Sequence, residues 1–338
     1  MFLTKEISDQ FNPVIEHVER TQRAIQCSGA AIMVIHRDKV VAETYWGQHS
    51  PTSDARAIQA DSQFHVASVR KSYIGFAVAY AIHHGYISSI DAPVSDYIPS
   101  LHALVIKGTT IRHLLTHTHG LNIENGEMVR EFPPGESWSY RGVGVDLLCD
   151  IVYTTTGKSV SQILAEEVFE PLEFKETGWY AVPQENFVDT VRDPNNPHWG
   201  TFESTNGDKM NMYVSARELG RWGYFHLQGG NVLGGQVVSP KIIEMATSFQ
   251  SPVLNDIDLP QNGFLWFVKE HSAKRHEIGE MIPAESYQIL GYSGVTLLVI
   301  PKYETVVVRM FNGWGSPSGF DYLANVREFG DGVMRCLK

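Results

Sequence analysis

"YSGVTLLVIPKYETVVVRMFNG", residues 292–313, is the stretch that decides the architecture. Val295 to Ile300 and Thr305 to Phe311 are rich in β-branched residues, and "PKYE" between them reads as a turn, so a β-hairpin is predicted. The other end of the chain repeats the design. "AAIMVIHRDKVVAETYWG", residues 30–47, has two β-rich runs around the polar "HRDK". A lone two-stranded pair is marginal in water, so both pairs are expected to share one antiparallel sheet. "GFDYLANVREFGDGVMRCL", residues 319–337, looks helical and is placed to pack on that sheet. A further amphipathic helix is predicted from about Ile7 to Ile25, with Pro13 breaking its first turn.

Between the two ends the chain reads as helices and long loops. "TIRHLLTH" is a short helix, and "VGVDLLCDIVYTTTG" a longer one that stops at Gly157. "SVSQILAEEVFEPL" starts behind a serine cap and stops at Pro171; "SARELGRWGYFHLQGG" closes on Gly229 and Gly230. The expected fold class is therefore α+β. A sheet part is formed by residues 1–62 and 216–338, a mainly helical region by residues 63–215, and a cleft lies between them.

At 338 residues the chain can bury a large core. A net charge of -11, with no basic run to offset it locally, argues against nucleic acid or an anionic membrane as partner. No apolar run approaches the ~18 residues of a membrane span. The opening residues are acidic early and lack a signal peptide's apolar core, so a cytoplasmic location is expected. Cys27, Cys149 and Cys336 are few and far apart, and imply no disulfide framework.

"FHVASVRKSYIGFAVAYAIHHGYI", residues 64–87, sets Ser68 three residues before Lys71 at the mouth of a helix that is apolar nearly all round. On a helix the two share a face. Serine-x-x-lysine is a weak signal alone, since roughly one chance match is expected in a chain of this length. An unpaired lysine at such a place is nevertheless expensive.

The order of the remaining motifs gives that pair a meaning. "SVRK" is followed by "RHLLTHTHGL", by "EFPPGESWSYRGVGVDLLCDIV", by "YVSARELGRWGYFHLQGGNVLGGQVVSP", by "NGFLWFV" and by "GYSGVTLLVIPKYETVVVRMFN". From about Gly29 to Gly313 this resembles the serine hydrolases of the class C β-lactamase and penicillin-binding-protein family, which includes carboxylesterases. The resemblance implies an antiparallel sheet flanked by helices beside an all-helical region. It implies Ser68 as nucleophile, Lys71 as the lysine of the first motif, and Tyr140 as the tyrosine of the second. Tyr292, Ser293 and Gly294 occupy the third, substrate-binding motif, and the N–H groups of Ser68 and Val295 would form the oxyanion hole. Free lysine and tyrosine both titrate near 10. Held together away from water, burial favours the neutral amine and an ammonium favours phenolate, so either state leaves a base beside the serine.

Two departures bear on the substrate. The second motif reads Tyr140-Arg141-Gly142, where the family has asparagine third, and the third motif opens with Tyr292 in place of lysine or histidine. The asparagine holds an amide carbonyl, and the cation faces a β-lactam carboxylate. Their loss argues for an esterase-like activity on a small ester or amide, through an acyl-enzyme and without a cofactor, over a true β-lactamase. The alternative is a catalytically impaired binding or regulatory protein on the same scaffold. Trp138 and Trp314 are the tryptophans expected to line the cleft, with Trp199, Trp222 and Trp266 in the core. His113, His117 and His119 lack the accompanying glutamate of a helical zinc site, so no metal is expected. Arg141 is expected to face solvent, as are Glu124, Glu127 and Glu131. The oligomeric state is not legible.

Overall fold

The structure is a computed structural model that describes residues 3–99, 104–192, 204–232 and 234–338; Trp199 lies outside them. After a two-residue strand β1 (Thr4–Lys5), α1 (Asn12–Ala24) leads into the hairpin β2 (Gly29–His36) and β3 (Lys39–Gly47). Arg37 and Asp38, between the strands, both have positive φ, the conformation of a hairpin turn whose twist matches its strands. Strand β4 (Gln63–His65) precedes a one-turn 3₁₀ segment (Ala67–Val69) and α2 (Arg70–His83). Then come α3 (Ile111–Leu115), the hairpin β5 (Leu121–Glu124) and β6 (Glu127–Arg130), α4 (Gly142–Thr156) and α5 (Val160–Leu164). The chain continues through β7 (Thr177–Trp179), β8 (Met212–Ser215), α6 (Ala216–Leu227), β9 (Asn231–Val232), β10 (Gly235–Gln236) and α7 (Pro240–Thr247). It ends with β11 (Phe267–Val268), β12 (Tyr287–Leu290), β13 (Thr296–Ile300), β14 (Thr305–Phe311) and α8 (Tyr322–Leu337).

The principal sheet has the order β1-β3-β2-β14-β13-β12-β11. Both predicted hairpins lie in it, joined by the antiparallel pairing of β14 with β2, Phe311 opposite Ala30. It is antiparallel except at one edge, where β1 runs parallel to β3. Period-two alternation sorts its side chains onto two cores. Met33, Ile35, Leu297, Val299, Val306 and Val308 face α6 and the helical region, while Ile32, Val34, Leu298, Ile300 and Val307 face α1 and α8.

The helices keep their predicted punctuation. Gly157 caps α4 at φ 70°, Ser159 and Ser215 accept from Gln162 N and Glu218 N, and Pro13 sits in the first turn of α1. That last position corrects the expectation that α1 starts near Ile7. Proline has no N–H to lose at a helix start, so it opens the helix there and does not break it. The middle of the chain is less purely helical than expected, since it holds β5–β6 and the small sheet β4-β8-β7. Asn125 and Gly126, both at positive φ, turn the first of these. Asn-Gly between short alternating runs is a hairpin signal that the reading as loop overlooked.

The α2 helix is buried on every side, from Arg70 to Ala81. Gly75 makes that possible, because a Cβ there would stand 2.2 Å from the carbonyl oxygen of Phe264. Gly75→Ala is expected to cost about 3 kcal/mol, at the upper end of core overpacking, read as a lower urea midpoint. A cost below about 1 kcal/mol would mean that the loop carrying Phe264 yields freely.

Candidate active site

Ser68 lies in the 3₁₀ turn that enters α2, and Lys71 in the first turn of α2. The residue just before the serine, Ala67, is held at φ 46°. A non-glycine residue there stores strain of order 1 kcal/mol, and such strain concentrates at functional sites. Lys71 is 5% exposed, and its Nζ donates to Ser68 Oγ at 2.7 Å. Lys71 Nζ also stands 4.7 Å from the ring centroid of Tyr140. Burial is the main force holding the amine below the ordinary lysine range; Arg70 pushes the same way, while Tyr140 and Asp146 oppose it. In its unprotonated form the amine, within hydrogen-bond reach of the hydroxyl, can take its proton.

Tyr140 arrives from the loop before α4 and is pinned by aromatic neighbours. The His117 ring lies 4.6 Å from it and the Trp138 ring 6.1 Å. Trp138 is held in turn, its Nε1 donating to Asn262 Oδ1 at 2.8 Å. His117 is fully buried, and burial and the nearby Lys71 push its pKa well below the usual imidazole value. It therefore presents a neutral ring to the tyrosine. The histidines of "THTHG" thus have separate tasks. His113 completes the capping box of α3 with Thr110, His117 walls Tyr140, and His119 accepts from Leu121 N. The role of His117 has no local signature in the sequence, since it depends on which ring the fold brings against it.

The third motif meets the turn that carries Ser68 from the sheet side. Gly291 packs so closely that a Cβ on it would lie 2.4 Å from Val66 O. Gly294, at φ 85°, lets the chain turn between β12 and β13. Among the described residues neither Ser68 N nor Val295 N donates to a backbone acceptor, as an oxyanion hole requires.

A cavity of about 490 Å³ opens here, lined by Ser68, Tyr140, Trp138, Tyr292 and Gly294 among others. Two expected substrate contacts are placed differently. Ser293 is fully buried, its Oγ without a partner among the described residues, and is not part of the cavity wall. Both residues sit in the turn between β12 and β13, which leaves Tyr292 exposed and packs Ser293 inward. Trp314 packs edge-on behind Tyr292 at 5.3 Å and takes Arg192 over its ring at 4.7 Å. It braces the wall and does not form it. Trp222 and Trp266 are core residues, as expected. Arg141 pairs with Glu131, Nη2 to Oε1 at 2.6 Å, so the glutamate is an ion-pair partner and not free surface. The side-chain position of Gly142 is open space, with nothing among the described residues within 4 Å of a Cβ built there.

A family profile described as "Beta-lactamase" matches residues 14–330. The chain is 54% identical over 337 residues to an uncharacterized protein of Alkalihalophilus pseudofirmus, covering 100% of this chain and 99% of that one. It is 24% identical over 217 residues to esterase EstB of Burkholderia gladioli, 54% of each chain. Among solved structures, a penicillin-binding-protein homologue from Caulobacter crescentus superposes with a TM-score of 0.78 at 18% identity, over 99% of this chain and 100% of that one.

Proposed function

This chain belongs to the β-lactamase family, and from that premise we propose that it is a serine hydrolase that cleaves a small ester in preference to an amide, through an acyl-enzyme. The observation that carries the reading is the 2.7 Å contact between the buried Lys71 amine and Ser68 Oγ. In the reaction, Ser68 Oγ attacks the substrate carbonyl as its proton passes to the Lys71–Tyr140 pair. The carbonyl oxygen becomes an oxyanion facing the N–H groups of Ser68 and Val295. The tetrahedral intermediate then collapses, the pair returns the proton to the leaving alcohol, and an acyl-serine remains. Water, deprotonated by the same pair, attacks that ester, and the pair hands the proton to Ser68 Oγ as the acid is released.

The ester preference rests on Gly142, which offers no amide to hold a substrate's amide carbonyl. The likeness to esterase EstB supports the same direction. Because the space beside Gly142 is open, Gly142→Asn is expected to fold and to raise the amide-to-ester ratio of kcat/KM by roughly tenfold, the worth of one good hydrogen bond. An unchanged ratio would remove Gly142 from the account. The reading as a whole is tested by intact-protein mass spectrometry after exposure to a fluorophosphonate. One adduct on the wild type, absent from Ser68→Ala, is expected. No adduct on folded protein would favour the binding-protein alternative.

A further inference from the structure

The cavity that begins at Ser68 does not end at the catalytic groups. It continues past Gly294 and Phe311 to Arg309, Tyr322 and Asn325, on the face of the sheet covered by α1 and α8. Phe267, Leu290 and Phe320 also line it, so much of its wall is apolar. Strand alternation puts Arg309 between Val307 and Phe311, on a face otherwise given to apolar side chains.

Arg309 is 2% exposed. Its Nε donates to Thr296 Oγ1 at 3.1 Å and its Nη1 to Asn325 Oδ1 at 2.8 Å, both neutral acceptors. Asn325 is fixed for this task, its Nδ2 donating to Thr21 Oγ1 at 2.9 Å. The guanidinium also lies over the rings of Phe329 and Phe311, at 4.8 and 5.6 Å. Among the described residues no carboxylate lies within ion-pairing distance of it, and Nη2 has no hydrogen-bond partner. Burial lowers its pKa only to about 10, so it stays cationic at neutral pH. A buried guanidinium with no counter-ion is costly to the fold, and a carboxylate is a ligand that its remaining N–H donors can pair with.

We propose that the far end of this cavity is a carboxylate subsite, and that the substrate carries, at the end of a short apolar arm extending from its scissile carbonyl, a carboxylate that pairs with Arg309. The proposal deepens the hydrolase reading above and rests on it for the identity of the scissile bond. It also changes the meaning of Tyr292: the cation missing from the third motif is replaced by one deeper in the same cavity, on β14. Glu277, the acidic side chain on the cavity wall, fits the arrangement. Burial pushes it up to about 7 and, among the described residues, its Oε2 has no partner, so in its protonated form it can donate a hydrogen bond to a bound carboxylate.

The test compares kcat/KM for esters that differ only in a remote carboxylate. Mono-4-nitrophenyl glutarate is set against 4-nitrophenyl butyrate, mono-4-nitrophenyl adipate against 4-nitrophenyl pentanoate, and 4-acetoxybenzoate against phenyl acetate, so the arm can lie on the acyl or the alcohol side. The wild type is expected to prefer the carboxylate member of one pair at least tenfold, and Arg309→Gln to reduce that preference at least tenfold. A general structural defect would lower both members together and leave the ratio unmoved, which would overturn the proposal, as would a wild type without preference. As a second readout, glutarate or adipate should raise the melting temperature of Ser68→Ala by about 2 °C or more, whereas glutaramide should not. The outcomes separate the two readings. Dicarboxylate stabilisation without ester turnover keeps the subsite and refutes the hydrolase; turnover with neither preference nor stabilisation keeps the hydrolase and refutes the subsite.

Discussion

Ser68→Ala is expected to lower kcat on any ester this protein turns over by about 10⁵-fold, while the melting temperature stays within a few degrees of the wild type. The size of the loss follows from what the hydroxyl does. Without Oγ there is no acyl-enzyme, and neither Lys71 nor Tyr140 is placed to attack a carbonyl itself; loss of the nucleophile in a serine hydrolase costs about 10⁶ in kcat. The small effect on stability follows from its surroundings. Ser68 is only partly buried, and its side chain has one hydrogen bond, the donation from Lys71. Losing that acceptor costs about 1 kcal/mol. Steady-state rates and thermal unfolding on one preparation check both halves. Residual turnover above a hundredth of the wild type would show that another group carries the reaction.

Lys71→Met is expected to reduce kcat by about 10³–10⁴-fold, the upper range for a positioned general base, yet to leave the fold unchanged or more stable by about 1 kcal/mol. Methionine fills a similar volume, and replacing a buried ion by an apolar side chain is often neutral or stabilising. The pH dependence has a definite sign. Because burial holds the Lys71 amine below the free lysine value, kcat/KM of the wild type should rise with pH through an inflection below about 10.4, and the inflection should vanish in Lys71→Met. Between the folded and unfolded values the unfolded chain binds more protons, so this one group makes the fold more stable as pH rises across that window. Lys71→Met should lose that slope in urea midpoints. A variant that is inactive and also destabilised by several kcal/mol would show that Lys71 is needed mainly for structure.

Much of the scaffold is legible along the chain because its causes are local. The alternation in β2, β3, β13 and β14, the turn residues between them and the serine and glycine caps of the helices all act within a few positions. The Ser68–Lys71 contact belongs to the same class, since a spacing of three fixes which face the two share before any packing is known. Where the local reading erred, the signal was present and misweighed: Pro13 opens a helix, and Asn125-Gly126 turns a hairpin.

The rest was decided only when distant segments met. Ser68 and Tyr140 lie 72 positions apart, and the order of motifs says that they meet without saying how. The tyrosine's position comes from the His117 ring and from Trp138 anchored on Asn262, contacts that no spacing encodes. Ser293 and Trp314 lie beside the cleft in sequence, and only packing turns one inward and sets the other behind Tyr292. Arg309 shows the boundary most clearly. In "TVVVRMF" it is one charge in an apolar strand, and the sequence by itself determines that its side chain alternates with those of Val308 and Met310. Whether such a charge reaches water, finds a carboxylate or waits at the end of a cavity depends on what α1 and α8 bring over that face. Strand periodicity is a property of neighbouring residues, whereas the compensation of a buried charge is a property of everything packed around it.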